Sequence, residues 1–225
     1  MEDLEKFLQA NMVFASLSSS ERNEMARLAS SRSYQKDENV ILYGEVWPYL
    51  LLVGKGSIDA VKESGEGRFL MVNTFPSGDI FWGLAFFQEN APMPVTLKAS
   101  QPSQLFLWSR ERIESILAGN GRVAWELCRL MAGRMQRAST ILEEMTFQSV
   151  GGRLARLLLD HFELAGDAAI SRHLTLDEMA ARIGSTREMV CRALYSFSDK
   201  KWIEVTRTEF VLTDREGLAR LVERN

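Results

Sequence analysis

The chain has 225 residues, 46% of them apolar and 25% charged, with a formal net charge of -3. That composition excludes a disordered or collagen-like chain and a uniformly basic nucleic-acid coat, so any contact with nucleic acid has to come from a local basic face. No run of about 18 apolar residues occurs and the start, Met1 to Leu8, is acidic, so neither a membrane-spanning helix nor a signal peptide is expected and a cytoplasmic protein is.

The first thirty residues read as two short helices: Asp3 to Ala10 is amphipathic, and Ser18 with Glu21 has the spacing of a capping box ahead of Met25 and Leu28. From Tyr34 to Ser109 the texture changes to short apolar runs, at 40–43, 49–53, 57–61, 69–75, 95–99 and 105–108, separated by Gly, Pro, Asn and Asp. This is the spacing of an antiparallel sandwich or barrel. Turns are expected at Tyr43-Gly44-Glu45, Val53-Gly54-Lys55-Gly56, Ser64-Gly65-Glu66-Gly67 and Ser77-Gly78-Asp79.

After Trp108 the pattern is helical to about Met145, with a break at Gly119-Asn120-Gly121. Heptad spacing from Ala124 gives the seam Ala124, Leu127, Met131, Arg134, Ala138, Ile141 and Met145, apolar at every position but one, which predicts a dimer helix. The plainer alternative is a stripe packed on the chain's own sheet. Arg134 either fixes register, meets a ligand or reaches out to water. A further amphipathic helix covers Gly151 to Leu164, followed by a polar loop from Ala165 to Arg172.

The last fifty residues carry the sharpest signal. Thr175 with Glu178 forms a capping box and Leu174 with Met179 a hydrophobic staple, so a short helix starts there and ends at Ile183-Gly184-Ser185. Ser185 with Glu188 repeats the capping spacing for a second helix, which makes a helix-turn-helix. Wound at about 100 degrees per residue, the second helix turns Val190, Ala193, Leu194 and Phe197 to one face and Arg187, Glu188, Cys191, Arg192 and Tyr195 to the other. Arginine matches the O6 and N7 acceptors of guanine, and a carboxylate accepts from the cytosine amino group. The plainer readings are that Glu188 only completes its cap and that the arginines are solvated or touch phosphate. Between Arg182 and Lys201 five basic residues face two acidic ones, Glu188 and Asp199, a local charge of +5 - 2 = +3. Residues 202–206 and 209–213 alternate around Arg207-Thr208 as a hairpin, the wing, and Asp214 caps a terminal helix.

Residues 174–213, with Ile183-Gly184-Ser185-Thr186-Arg187-Glu188-Met189-Val190-Cys191-Arg192-Ala193-Leu194 at their heart, resemble the CRP/FNR family of bacterial regulators, and the likeness runs along nearly the whole chain. It implies an α+β protein: an N-terminal antiparallel, jelly-roll-like β-roll sensor domain over 1–118, a long central dimerisation helix over 119–146 and a C-terminal winged helix-turn-helix over 147–225. Its implied partners are a double-stranded operator with TGTGA-like inverted half-sites, a second copy of the chain and RNA polymerase, with no membrane. Arg187, Glu188 and Arg192 match the family's base-contacting positions and Cys191 a variable one. Thr175, Ser185, Thr186, Tyr195, Lys200 and Arg207 complete the candidate DNA-binding set.

The sensor half departs from the pattern of cAMP-binding members. Trp82-Gly83 stands where their Gly-Glu pair falls, and Met93 stands near their phosphate-binding arginine. A cyclic phosphate would lose its water there uncompensated, so cAMP is not expected. Iron-sulfur sensing is disfavoured because residues 1–127 hold no cysteine, and histidine-ligated haem because residues 1–160 hold no histidine. No cofactor or metal is predicted, and His161 and His173 read as surface or interface residues. An apolar effector pocket from Phe81, Trp82, Gly83, Leu84 and Met93 with Leu127, Cys128 and Met131 is one reading, and plain core is the other. No catalytic motif appears, so an enzyme is not expected. The rivals are an effector-independent regulator controlled by abundance and a small-molecule binding module that does not read DNA.

Overall fold

The computed structural model describes residues 2–65, 68–166, 169–171 and 174–223. The expected turn at Glu66-Gly67, the loop end at Arg172 and His173 lie outside the described residues. Two units divide the chain, Met1–Lys62 with Val72–Gln136 and Glu63–Met71 with Arg137–Asn225. Both divisions cut through elements: one falls inside the long helix and the other takes the tip of a hairpin from the sheet domain.

The elements in order are α1 (Glu2–Ala10), α2 (Ser19–Leu28), β1 (Ser30–Tyr34), β2 (Asn39–Ile41), β3 (Tyr49–Lys55), β4 (Ser57–Glu63), β5 (Phe69–Pro76), β6 (Ile80–Trp82), a 3-10 turn at Leu84–Phe86, β7 (Thr96–Ala99), β8 (Ser103–Ser109), α3 (Arg110–Gly119) and α4 (Gly121–Phe147). Two four-stranded sheets form, in the orders β1-β8-β3-β6 and β2-β7-β4-β5. Strand β3 shows why they stack. Leu50, Leu51, Leu52 and Val53 are all fully buried, and because successive strand residues point to opposite faces they feed two cores. Leu51 and Val53 join Ile58, Phe75, Met93 and Leu97 in one core, while Leu50 and Leu52 join Leu8, Phe14, Met25, Trp108 and Leu127 in another. There the indole Nε1 of Trp108 donates to the Met25 carbonyl at 2.7 Å, so its one polar atom is satisfied.

The capping box at Ser18 forms as expected, with Glu21 N donating to Ser18 Oγ at 3.2 Å and Ser18 N to Glu21 Oε2 at 2.7 Å. Strands β1 and β6 were not expected. The sequence Ser-Ser-Arg-Ser-Tyr of β1 buries only Tyr34, so its pairing with β8 rests on main-chain bonds and leaves no apolar pattern to read.

The second unit contains α5 (Val150–Ala165), β9 (Ala169–Ser171), α6 (Leu176–Arg182), α7 (Arg187–Asp199), β10 (Ile203–Val205), β11 (Glu209–Leu212) and α8 (Arg215–Glu223). Its sheet has the order β10-β11-β9, one strand more than the expected hairpin. Leu154, Leu158, Phe162, Met179, Val190, Phe197 and Phe210 make its core. Asp214 caps α8, its Oδ1 accepting from Gly217 N at 3.0 Å. No helix among the described residues is long and apolar enough to cross a membrane. Leu52→Ala is expected to lower the unfolding free energy by about 2–5 kcal/mol in urea titration, the range for a fully buried leucine.

Candidate nucleic-acid interface

The helix pair α6 and α7 forms as its caps dictate, with one shift. Thr175 Oγ1 accepts from Glu178 N at 3.1 Å and Glu178 Oε2 from Thr175 N at 2.7 Å, so the hydroxyl of Thr175 is engaged in capping. The cap of α7 is Thr186 and not Ser185: Thr186 Oγ1 accepts from Met189 N at 3.3 Å. The backbone N–H of Ser185 instead donates to Ala180 O at 2.9 Å, inside the turn. Glu188 therefore completes no capping box, and its carboxylate pairs with Arg192 at 2.5 Å along the exposed face.

That face is open. Arg187, Glu188 and Arg192 have side chains 65%, 70% and 70% exposed, and Tyr195 is 77% exposed. The opposite face holds Val190, Leu194 and Phe197 in the core. Arg187 is also paired, 3.3 Å from Asp177 on α6, so both arginines are held by carboxylates of their own chain. Cys191 is half-buried between them. Lys200 lies beyond the helix end with its ammonium over the Trp202 ring at 4.6 Å. Arg207 is exposed at the wing tip, in a turn tied by Thr206 Oγ1, which accepts from Glu209 N at 2.9 Å.

Sequence reasoning missed the residue that fixes this pair of helices. Arg153 of α5 donates from Nε to the Ile183 carbonyl at 2.8 Å, and from Nη1 to the carbonyls of Gln148 at 2.7 Å and Glu144 at 3.4 Å. One guanidinium thus joins the end of α4, the start of α5 and the turn between α6 and α7. Burial holds its pKa below the usual arginine value, opposed by the Glu144 carboxylate. The adjoining Gly184 has φ +60 and lies so close to Met145 that a Cβ would fall 2.3 Å from the Met145 methyl carbon. An arginine on an amphipathic helix carries no local mark of such a role.

The seam expected on α4 needs correction. Leu127 is only 6% exposed and belongs to the core beneath the first sheet. Arg134 donates to the Ile80 carbonyl, with its guanidinium carbon 4.1 Å from the Trp82 ring centroid. Ile141 is half-buried, and Met145 meets Gly184. Exposed apolar positions at heptad spacing are Ala124, Cys128, Met131, Met135, Ala138 and Leu142, with Met135 72% and Leu142 68% exposed, while Trp125 and Phe147, also exposed, lie off that stripe. At about 100 degrees per residue this stripe is turned roughly 40 degrees from the expected one.

The expected effector pocket does not assemble. Met93 lies in the core between the sheets, and Trp82 and Leu127 lie in the core under the helices. Leu84, Cys128 and Met131 are exposed, and Phe81 is half-buried against Trp47 and Phe75. Gly83 has no open space, since a Cβ there would sit 1.9 Å from the Trp47 carbonyl oxygen. The rim of His161 is a separate matter: it lines an apolar recess of α5 with Leu158, Leu174 and Phe210, and burial lowers its pKa. No group of three metal-ligating side chains occurs among the described residues. Thr186→Ala is expected to cost about 0.5–2 kcal/mol in thermal unfolding while Ser185→Ala costs far less, and equal effects would contradict the cap assignment.

Two family models match the chain: a cyclic nucleotide-binding domain over residues 31–120 and a Crp-like helix-turn-helix domain over residues 152–221. The CRP-like cAMP-activated global transcriptional regulator of Mycobacterium tuberculosis is 26% identical over 194 residues, covering 83% of this chain and 85% of that protein. A CRP/FNR-family regulator structure from Eubacterium rectale superposes with a TM-score of 0.75 at 21% identity, covering 94% of this chain and 97% of that one. The c-di-GMP-responsive global regulator CLP of Xanthomonas campestris gives 0.76 at 20% identity, over 87% and 99%. With a β-roll and a winged helix-turn-helix in this order, each matched by its own family model, the chain belongs to the CRP/FNR family of transcription regulators, which are not enzymes.

Proposed function

We propose that the chain acts as a homodimer, reads an inverted-repeat operator with TGTGA-like half-sites in the major groove, and from there acts on RNA polymerase without cAMP as its effector. The observation that carries the reading is the exposed face of α7: Arg187, Glu188, Arg192 and Tyr195 project to solvent while Val190, Leu194 and Phe197 anchor the same helix in the core. Glu188, released from capping, can accept from a cytosine amino group on exchanging its pairing with Arg192, and the exposed guanidinium groups of Arg187 and Arg192 suit the paired acceptors of guanine. Thr186 and Arg207 lie at a helix start and the wing tip, where a hydroxyl and a guanidinium group suit phosphate contacts, while the Thr175 hydroxyl is taken up by Glu178.

Dimerisation is supported by the uncovered stripe from Ala124 to Leu142. Apolar side chains as exposed as Met135 and Leu142 call for a partner, and a symmetric copy offers the same stripe in register. Two such subunits would offer their α7 helices to half-sites about 34 Å apart, one turn of duplex. Against cAMP stand the buried, apolar Met93 and the walled-in Gly83, which supply neither a cation for a cyclic phosphate nor a carboxylate for a ribose.

Selection of bound fragments from random DNA should recover an inverted repeat. Arg187→Ala and Arg192→Ala should each cost about 1–3 kcal/mol of operator affinity while leaving nonspecific binding less affected; an unchanged sequence preference would remove the base-reading assignment. In sedimentation, Leu142→Asp and Met135→Asp should shift the protein to monomer, whereas an intact dimer for both would place the interface elsewhere.

A further inference from the structure

Arg134 has an environment unlike that of any other cation in the first unit. Its guanidinium carbon lies 4.1 Å from the ring centroid of Trp82, 5.2 Å from that of Phe75 and 5.8 Å from that of Phe81. One of its N–H groups donates to the Ile80 carbonyl, and the charge of the nearby Asp79 carboxylate favours its protonated form. The walls are braced by one another: Phe75 meets Phe81 edge to face at 5.1 Å, and Phe81 leans on Trp47 at 6.4 Å. Phe75 and Trp82 are buried. Three rings and a carbonyl oxygen around one planar cation make an aromatic cage of the kind that recognises organic cations. Burial draws the pKa of Arg134 down to about 10, so the group stays charged near neutral pH.

The cage is built by β5 and β6, one strand from each of the two sheets, and the cation comes from α4, so the contact ties the helix to both. We propose that Arg134 is a tethered ligand of the β-roll: it fills a cation cage from within the chain and holds α4 in its DNA-competent setting, so that operator binding needs no added small molecule. The proposal rests on the regulator reading above and extends it to how that activity is set. A state can be favoured only by a ligand that binds it better than its alternative, and a covalently attached ligand is always present. Emptied of Arg134, the cage becomes a site for a free guanidinium compound of the size of ethylguanidinium.

The test compares purified full-length wild type, Arg134→Ala and Arg134→Lys by fluorescence anisotropy on the selected operator, with and without millimolar ethylguanidinium, alongside thermal unfolding. Wild type should bind fully with no additive and ignore ethylguanidinium. Arg134→Ala should bind about tenfold or more weakly and recover with ethylguanidinium, which should also raise its Tm but not that of wild type. Arg134→Lys, which keeps the charge but loses the planar fork, should fall between. A folded Arg134→Ala that binds operator like wild type, or that neither recovers affinity nor gains Tm with ethylguanidinium, overturns the proposal, as does a wild type that needs a small molecule from cell extract. Should Arg134→Ala fail to fold, Arg134→Met keeps the aliphatic stem and is read the same way. Wild type that binds no DNA would instead remove the regulator reading, and the Tm comparison would still decide whether the cage takes a cation.

Discussion

The donor fork of Arg153 is the constraint on which the DNA-facing half depends. Its bonds to the carbonyls of Glu144, Gln148 and Ile183 satisfy main-chain acceptors at the close of α4 and in the turn before α7. The Glu144 carbonyl also takes the helical bond from Gln148 N at 3.0 Å, whereas the carbonyls of Gln148 and Ile183 lie just past helix ends, where burying an acceptor unmet would cost about 1–3 kcal/mol. Because the same cation serves all three, the direction of α7 is set against α4 and α5 together. The left-handed Gly184 next to it lets the turn approach Met145 with nothing but hydrogen between them.

Helix α4 shows how one amphipathic pattern divides its labour among several neighbours. Val123 and Leu127 complete the core under the first sheet, Arg134 enters its aromatic cage, and Met145 meets Gly184. A buried carboxylate, Glu126, is neutralised on the same helix by Arg122 at 3.2 Å and Arg129 at 3.0 Å. Among its exposed residues, small and sulfur-bearing side chains form a stripe ending in Leu142, with Trp125 and Phe147 exposed beside it.

The order of elements was legible in the sequence wherever burial is one-sided. The capping boxes at Ser18 and Thr175, the run from Leu50 to Val53 and the two faces of α7 each combine a local signal with a burial period, and the fold obeys both. Strands held by main-chain pairing alone, such as β1, leave no such trace. The burial of Leu127 and the partial burial of Ile141 were not legible, because these residues are as hydrophobic as the exposed Cys128 and Leu142, and hydrophobicity does not say which neighbour a residue will meet. At Ser185 and Thr186 two adjacent hydroxyls offer the same chemistry, and only the geometry of the turn decides between them. The role of Arg134 depended on three aromatic rings more than fifty residues earlier, a relation that spacing cannot reveal.

The carboxylates beside the DNA-facing arginines have a consequence of their own. Asp177 and Glu188 partly cancel the positive potential of Arg187 and Arg192 on a chain that is already acidic overall. Random phosphate backbone therefore gains little from touching this surface, because each contact first has to displace an ion pair made within the protein. On the proposed reading, a duplex whose base edges engaged the guanidinium groups and Glu188 at once would make good that loss, while other duplexes would not. Such a surface would weaken its own loose adhesion to genomic DNA and shorten the time spent on the wrong stretch.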